Sequence, residues 1–249
     1  MNKKKWLKWA VVLIGIAIIG NVILYITGQS PFNLENVDVS ESIDANEVRH
    51  INIDSRLGSV QVEQIEGSSV EVTMTGKVTK RWKDDYTLDL SQVGGQLQIH
   101  VKQQTGFHFF EFYNNLELQV GIPEGTYESI HIVTEDAPID LQQVKADTYR
   151  LQSDTGHIEA AVPSGQVTTV SDTGKVVLQL EEIMAPISIV TDTGDIQVTT
   201  TRMPEAIRTN LITDSGSIEV NLPEQVYQSG QGPLVELQSD TGDLTLSSK

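Results

Sequence analysis

From Ile130 to Leu246 apolar and polar side chains alternate, and one four-residue element interrupts the alternation at intervals. Ser153-Asp154-Thr155-Gly156, Ser171-Asp172-Thr173-Gly174, Thr191-Asp192-Thr193-Gly194, Thr213-Asp214-Ser215-Gly216 and Ser239-Asp240-Thr241-Gly242 are five copies of it, with successive aspartates 18, 20, 22 and 26 residues apart. Core-type residues sit five and three positions before each Asp (Tyr149/Leu151, Val167/Thr169, Ile187/Ile189, Thr209/Leu211, Val235/Leu237). They recur four and six positions after it, at Ile158/Ala160, Val176/Leu178, Ile196/Val198, Ile218/Val220 and Leu244/Leu246. Period two on both flanks predicts half-buried strands. The parity switches across the tetrad, so the tetrad is expected to be a corner that turns the chain while both apolar sets face one interior.

Degenerate copies continue toward the amino end. Thr134-Glu135-Asp136-Ala137 lies between Ile130/Ile132 and Ile139/Leu141, Gly95 between Leu88/Leu90 and Leu97/Ile99, and Gly58 between Ile51/Ile53 and Val60/Val62. Second corners fall at Val162-Pro163-Ser164-Gly165, Ala185-Pro186, Met203-Pro204-Glu205 and Leu222-Pro223-Glu224, where proline is tolerated because no ladder bond is required. A unit of about 20 residues with two short strands cannot bury its apolar face alone, whereas stacked copies do. The expected fold is therefore all-β, a parallel β-helix or β-solenoid of rungs about 20 residues long. A sandwich or barrel would also carry period-two runs, but would not need the same corner at every turn.

The amino-terminal residues break the pattern. Trp9–Ile26 is 18 residues without a charge, about 27 Å as a helix and close to a bilayer's roughly 30 Å of hydrocarbon. Lys3, Lys4, Lys5 and Lys8 precede it, and Trp6, Trp9 and Tyr25 flank it as an aromatic belt would. Glu35, Asp38, Glu41 and Asp44 follow, so the amino end is expected inside and the remainder outside. A cleaved signal peptide competes, with Gly28-Gln29-Ser30 as a small-x-small site, but its apolar region would be shorter and Pro31 disfavours cleavage. The expected organisation is a cytoplasmic basic tail (1–8), a single-pass anchor in the cytoplasmic membrane (9–27), an acidic linker (28–46) and an extracellular repeat domain (47–249).

Charge sharpens this division. The chain carries 17 Lys and Arg against 34 Asp and Glu, a net of −17, and the part beyond residue 27 alone stands at −21. Such a surface excludes nucleic acid as a partner, because phosphates need a Lys/Arg surface. The absence of cysteine removes disulfides, thiol nucleophiles and Cys-ligated metal centres.

Asp-Thr-Gly also occurs in aspartic proteases, but that chemistry needs two such motifs converging in one cleft. Five copies in a row along one edge fit a structural role better. The carboxylates of Asp154, Asp172, Asp192, Asp214 and Asp240 would accept a backbone N–H in Asx-turns, and Gly156, Gly174, Gly194, Gly216 and Gly242 would supply the tight corner. Calcium is an alternative use, with Asp192, Asp195, Asp240 and Asp243 as hard oxygen ligands on neighbouring rungs, although the Gly-Gly-x-Gly-x-Asp nonapeptide of calcium β-rolls is missing. His50, His100, His108, His131 and His157 show no metal-ligand spacing, and no nucleophile-elbow, Walker or dinucleotide motif occurs. No cofactor is expected, and a polysaccharide-cleaving enzyme finds no basic residue poised in the repeats.

An insertion near 77–115 departs from the repeat. Phe107, Phe109, Phe110, Phe112 and Tyr113 concentrate there, beside the basic run Lys77–Asp85. One reading plugs the open end of the solenoid. The other is a patch facing the membrane or a partner, with cations toward anionic headgroups and rings as anchors.

An apolar amino-terminal helix followed by repeated [ST]-D-[ST]-G-x-Φ-x-Φ units resembles the bacterial putative-adhesin β-strand-repeat family, a domain of unknown function. Within it the arrangement is similar to the LiaG-like membrane proteins of Gram-positive bacteria. The resemblance runs from about Glu47 to Lys249 and is clearest over Ile130–Leu246. It implies a right-handed β-helix on the outer face of the membrane, in an envelope-stress context, and supplies no catalytic residues. The function expected is a non-enzymatic, adhesin-like or scaffold component of the envelope whose partners are other envelope proteins or cell-wall components. A calcium- or polysaccharide-binding ectodomain, or a β-helix carbohydrate-active enzyme, is the alternative.

Overall fold

The computed structural model describes all residues except 1, 2, 29, 31, 57, 104–113 and 229. Helix α1 (Lys3–Ile26) is followed by β1 (Leu34–Asp44), β2 (His50–Ser55), β3 (Ser59–Ile65), β4 (Ser69–Thr79), a 3₁₀ turn (Lys80–Asp85), β5 (Tyr86–Val93), β6 (Gln96–Gln103) and β7 (Asn114–Pro123). The repeat region continues with β8 (Thr126–Thr134), β9 (Ile139–Gln142), β10 (Lys145–Ser153), β11 (Ile158–Val162), β12 (Gln166–Thr173), β13 (Val176–Leu180), β14 (Ile187–Thr193) and β15 (Ile196–Thr200). It closes with β16 (Arg208–Ser215), β17 (Ile218–Asn221), one helical turn (Glu224–Tyr227), β18 (Leu234–Thr241) and β19 (Leu244–Ser248).

These strands form two sheets around one interior. The first has the order β1-β4-β7-β3-β9-β11-β13-β15-β19-β17, the second β16-β18-β14-β12-β10-β8-β2-β6-β5. Each tetrad joins a strand of the second sheet to one of the first (β10 to β11, β12 to β13, β14 to β15), as the parity switch requires. Strand pairing is parallel through the repeats, and the sheets are mixed only toward the amino-terminal end, where β1, β4, β7 and the pair β5–β6 run antiparallel. Inward side chains from both sheets, such as Ile130, Ile132, Leu151, Ile187 and Ile189 against Ile139, Leu141, Ile158, Val176 and Ile196, are at most 1% exposed. Each such aliphatic side chain contributes roughly 1.5–3 kcal/mol by leaving water.

The rungs do not stack in chain order. β14 pairs with β18, and β16 pairs on the far side of β18, so the last strands of the chain lie between the third and fourth tetrad rungs. Register therefore advances 18 residues from Tyr149 to Val167 and 20 to Ile187, then 48 to Val235. The physical reason lies in the inward side chains. Val235, Leu237, Leu244 and Leu246 are wholly buried between two neighbours. The end rung has one neighbour, and it carries Thr209 together with Leu211, Ile218 and Val220, of which Ile218 is 47% exposed. The less apolar pair occupies the open end. At the amino side β2 and β3 are likewise lodged between β6–β7 and β8–β9.

Two expectations are corrected here. Residues 28–46 are not a free linker: Leu34–Asp44 pairs antiparallel with β4 along its whole length. Val37 is buried, and Val39 and Ile43 pack on the core from the same face, so the acidic residues between them mask a period-two strand. Gly95 is not a corner between sheets either. Gly94 and Gly95 both have positive φ (60° and 81°) and make the two-residue turn of the β5–β6 hairpin within the second sheet.

Tyr149 is the largest fully buried side chain and ties down the second corner beside it. Its hydroxyl donates to the Val144 carbonyl (2.8 Å) and accepts from the Ala146 N–H (2.7 Å). A Cβ on Gly165 would lie 2.7 Å from its ring, so the tyrosine fills the space under that turn. Burial pushes its hydroxyl up to about 12, with the Ala146 N–H opposing in the other direction. Because the folded value lies above the ordinary 10, this stability is complete below pH 10 and is lost as pH rises toward 12. Unfolding titrated across that window should show a loss of about 2 kcal/mol that Tyr149→Phe does not show. The same variant should be less stable at neutral pH by roughly 1–3 kcal/mol, from two stranded backbone groups.

Candidate functional site

The corners divide their labour in a way that the tetrad itself does not announce. Its first residue points inward: Ser153, Ser171, Thr191 and Ser239 are at most 2% exposed. The Ser153 hydroxyl accepts from the Gly156 N–H (2.8 Å). Thr134, Thr213 and Ser239 donate to the carbonyls of Ala137, Gly242 and Gly194 at 2.8–2.9 Å. The corner backbone continues the ladder between rungs, for example Thr173 N–H to the Asp154 carbonyl (2.7 Å) and Gly194 N–H to the Thr241 carbonyl (2.8 Å). The fourth residue has to be glycine because the rungs meet backbone to backbone. A Cβ on Gly194 would lie 2.0 Å from the Gly174 oxygen, and one on Gly242 would lie 2.0 Å from the Gly194 oxygen.

The aspartate carboxylates take no part in this. The carboxylates of Asp154, Asp172, Asp192, Asp214 and Asp240 are exposed and make no hydrogen bond among the described residues. At Ser153, Thr213 and Ser239 the hydroxyl, one bond closer to the backbone, takes the place of the expected Asx-turn, whereas the Ser171 and Thr191 hydroxyls are buried without a partner. What the fold does with the carboxylates is line them up. Following the register, Glu135, Asp154, Asp172, Asp192, Asp240 and Asp214 succeed one another along one edge, with the hydroxyls of Thr155, Thr173, Thr193, Thr241 and Ser215 beside them.

At its amino-side end this row runs into basic side chains. Arg56 contacts Glu135 (3.3 Å), His100 lies 3.6 Å from Asp54, and Lys102 pairs with Asp89 (2.7 Å). The Lys102 hydrogen bond and charge hold the Asp89 carboxyl below the usual carboxylate range. Asp54, Arg56, His100, Lys102, Gln103 and Glu135 line a shallow groove of about 460 Å³. The sequence carries no signal for this groove, because Asp54 and His100 become neighbours only through the β2–β6 pairing.

The calcium candidates are also distributed by the crossed order. Asp192 and Asp240 stand on adjacent rungs, as do Asp195 and Asp243. Asp195 accepts the Asp243 N–H (2.9 Å), and Asp243 accepts the Ser217 N–H and hydroxyl (2.7 and 2.8 Å), which hold its carboxyl below the usual range. These two carboxylates stitch rungs together. Among the described residues no group of three or more His, Asp or Glu is arranged to hold a metal ion. Phe107, Phe109, Phe110, Phe112 and Tyr113 lie outside the described residues, in the stretch that joins β6 of the second sheet to β7 of the first.

Among the described residues, no side chain of helix α1 is buried. Lys5–Ile26 is long and apolar enough to cross a membrane and none of it is buried, a property shared by single-pass anchors and signal sequences.

A comparison with curated proteins finds no match. Among solved structures, the chain resembles a putative cell adhesion protein from Clostridium sporogenes at a TM-score of 0.50 and 11% identity, over 86% of this chain and 100% of that one. A putative adhesin from Bacteroides fragilis aligns at 0.46 and 12% identity, over 86% and 97%. At such identity the first of these likenesses is one of fold. The Toastrack DUF4097 family matches residues 48–221 and again residues 134–248, two overlapping frames such as a stack of like rungs produces. Together they span the two-sheet stack from just before β2 to the end of β19, and the chain therefore belongs to the Toastrack DUF4097 family.

Proposed function

We propose that this is a non-enzymatic, single-pass surface protein in which α1 stays in the cytoplasmic membrane, amino end inside, and the two-sheet stack stands outside as an adhesin-like module. The stack would wind with the right hand that parallel crossovers favour. The observation that carries this reading is the corner row. The five carboxylates of Asp154, Asp172, Asp192, Asp240 and Asp214, at rung spacing, are spent on nothing among the described residues, and like charges about 4.8 Å apart repel one another. A row of that kind is of use to an external partner with complementary cations or hydroxyls, as envelope proteins and wall polymers carry. The lysines at positions 3, 4, 5 and 8, at the amino end of α1, support the orientation.

The test uses intact cells displaying the full chain. Protease added outside should digest the stack. Purified cell wall should be retained by these cells in a salt-sensitive manner, and retention should fall severalfold when Asp154, Asp172, Asp192, Asp214 and Asp240 are all replaced by Asn. Protection of the stack in intact cells, or undiminished retention by the Asn variant, would overturn the proposal.

A further inference from the structure

The chain leaving α1 does not run free before the domain begins. Ser30 N–H returns to the Leu24 carbonyl (3.0 Å), the Asn33 side-chain amide to the Tyr25 carbonyl (3.2 Å), and Lys80 N–H to the Asn33 carbonyl (2.7 Å). The 3₁₀ turn Lys80–Asp85 is thereby held against the exit of the helix, with the Lys80 side chain 3.8 Å from where a Cβ on Gly28 would stand. Around this junction the surface is amphipathic. Phe32 is 69% and Leu34 42% exposed, Lys80 and Arg81 are exposed, and the Arg81 guanidinium lies 4.7 Å from the Trp82 ring centroid. Lys83 is taken by Glu35 (2.8 Å), whose carboxyl its hydrogen bond and charge hold below the usual range. Lys80 lies only at the margin of that pair, 3.9 Å from Glu35. Asp84 and Asp85 close the turn ahead of β5.

From this placement we infer that the junction formed by Phe32, Leu34, Lys80, Arg81 and Trp82 seats the ectodomain on anionic lipid headgroups of the leaflet from which α1 emerges. The argument is one of position and charge. A helix crossing the hydrocarbon delivers its last turn to headgroup level, and whatever is bonded to that turn lies at the same depth. Lys80 and Arg81 are then cations at phosphate level on a domain whose net charge would otherwise drive it from an anionic surface. The exposed apolar side chains beside them have the boundary between headgroups and acyl chains as their natural environment, and the arginine–tryptophan pair joins both preferences in one contact. The consequence for function is geometric: with no stalk, the stack and its corner row are held at a set height and tilt above the bilayer.

The inference rests on α1 remaining in the membrane, and the test separates the two. The chain has three tryptophans, so Trp6→Phe and Trp9→Phe leave Trp82 as sole reporter at the contact. The full chain is reconstituted into vesicles of phosphatidylcholine alone or with one third phosphatidylglycerol, each containing a lipid with a nitroxide on its headgroup. Trp82 emission should be quenched severalfold more in the anionic vesicles. Lys80→Glu with Arg81→Glu, or high salt, should return quenching to the zwitterionic level. Equal quenching in both vesicles, or quenching indifferent to the charge reversal, would overturn the headgroup contact while α1 stays inserted. Release of the chain from vesicles by alkaline extraction would instead overturn the anchor, and the contact with it.

Discussion

Gly194→Ala should destabilise the stack by about 3 kcal/mol, whereas Asp192→Ala, two residues away in the same tetrad, should change stability by less than about 0.5 kcal/mol. The added methyl of the first variant would stand 2.0 Å from the Gly174 oxygen. Neither atom belongs to a side chain that can rotate away, so the rungs themselves must part. That motion loosens the Gly174 N–H bond to the Thr193 carbonyl (2.9 Å), which spans the same gap. The Asp192 carboxylate is exposed and bonds to nothing in the fold, so its removal costs no packing and relieves repulsion along the row. Urea unfolding of the two variants in detergent decides the matter. A loss at Asp192 as large as that at Gly194 would mean that the carboxylate supports the corner after all.

Leu237→Ala is the second large effect expected, about 2–5 kcal/mol, against less than about 1 kcal/mol for Leu211→Ala. Both leucines hold the same inward position, three residues before the tetrad aspartate, and from the repeat pattern alone they are equivalent. The order of the rungs makes them different. Leu237 lies between β14 and β16 and is wholly buried, while Leu211 sits on the end rung with solvent on one side. A stack in chain order would reverse the ranking, with β18 at the open end. The cysteine-free sequence permits a covalent check of the same point. Cysteines replacing Ser188 and Glu236, which are register partners, should form a disulfide readily. Cysteines replacing Ser188 and Asn210 should not, because a whole rung intervenes and about 9.6 Å separates them.

The repeat was legible because its physics is local. Alternation with period two declares a strand with one face buried, and the parity switch at each tetrad declares a turn between two sheets. Where the structure departs from that reading, the deciding forces are not local. The acidic residues at Glu35, Asp38, Glu41 and Asp44 read as a linker, yet Val37, Val39 and Ile43 between them suffice once β4 offers an edge to pair with. Gly95 matched the spacing of a corner, but two successive glycines with positive φ closed a hairpin instead. The tetrad's aspartate looked like its structural residue because Asp is the commoner turn former, and the shorter hydroxyl at the preceding position reached the backbone first.

Sequence by itself thus determined the class of fold, the corners, the apolar helix at the amino end and the uneven charge on either side of it, since each follows from side chains within a few residues of one another. Tertiary structure decided which rung lies beside which. Every rung offers the same unpaired backbone edges, so hydrogen bonding does not discriminate among neighbours, and the choice falls to how much apolar surface each rung must hide. That choice set the order of the acidic row and brought Arg56, His100 and Lys102 to its end. Packing of the same non-local kind placed the Lys80–Asp85 turn against the exit of α1, where cations and the exposed Phe32 ring share one surface.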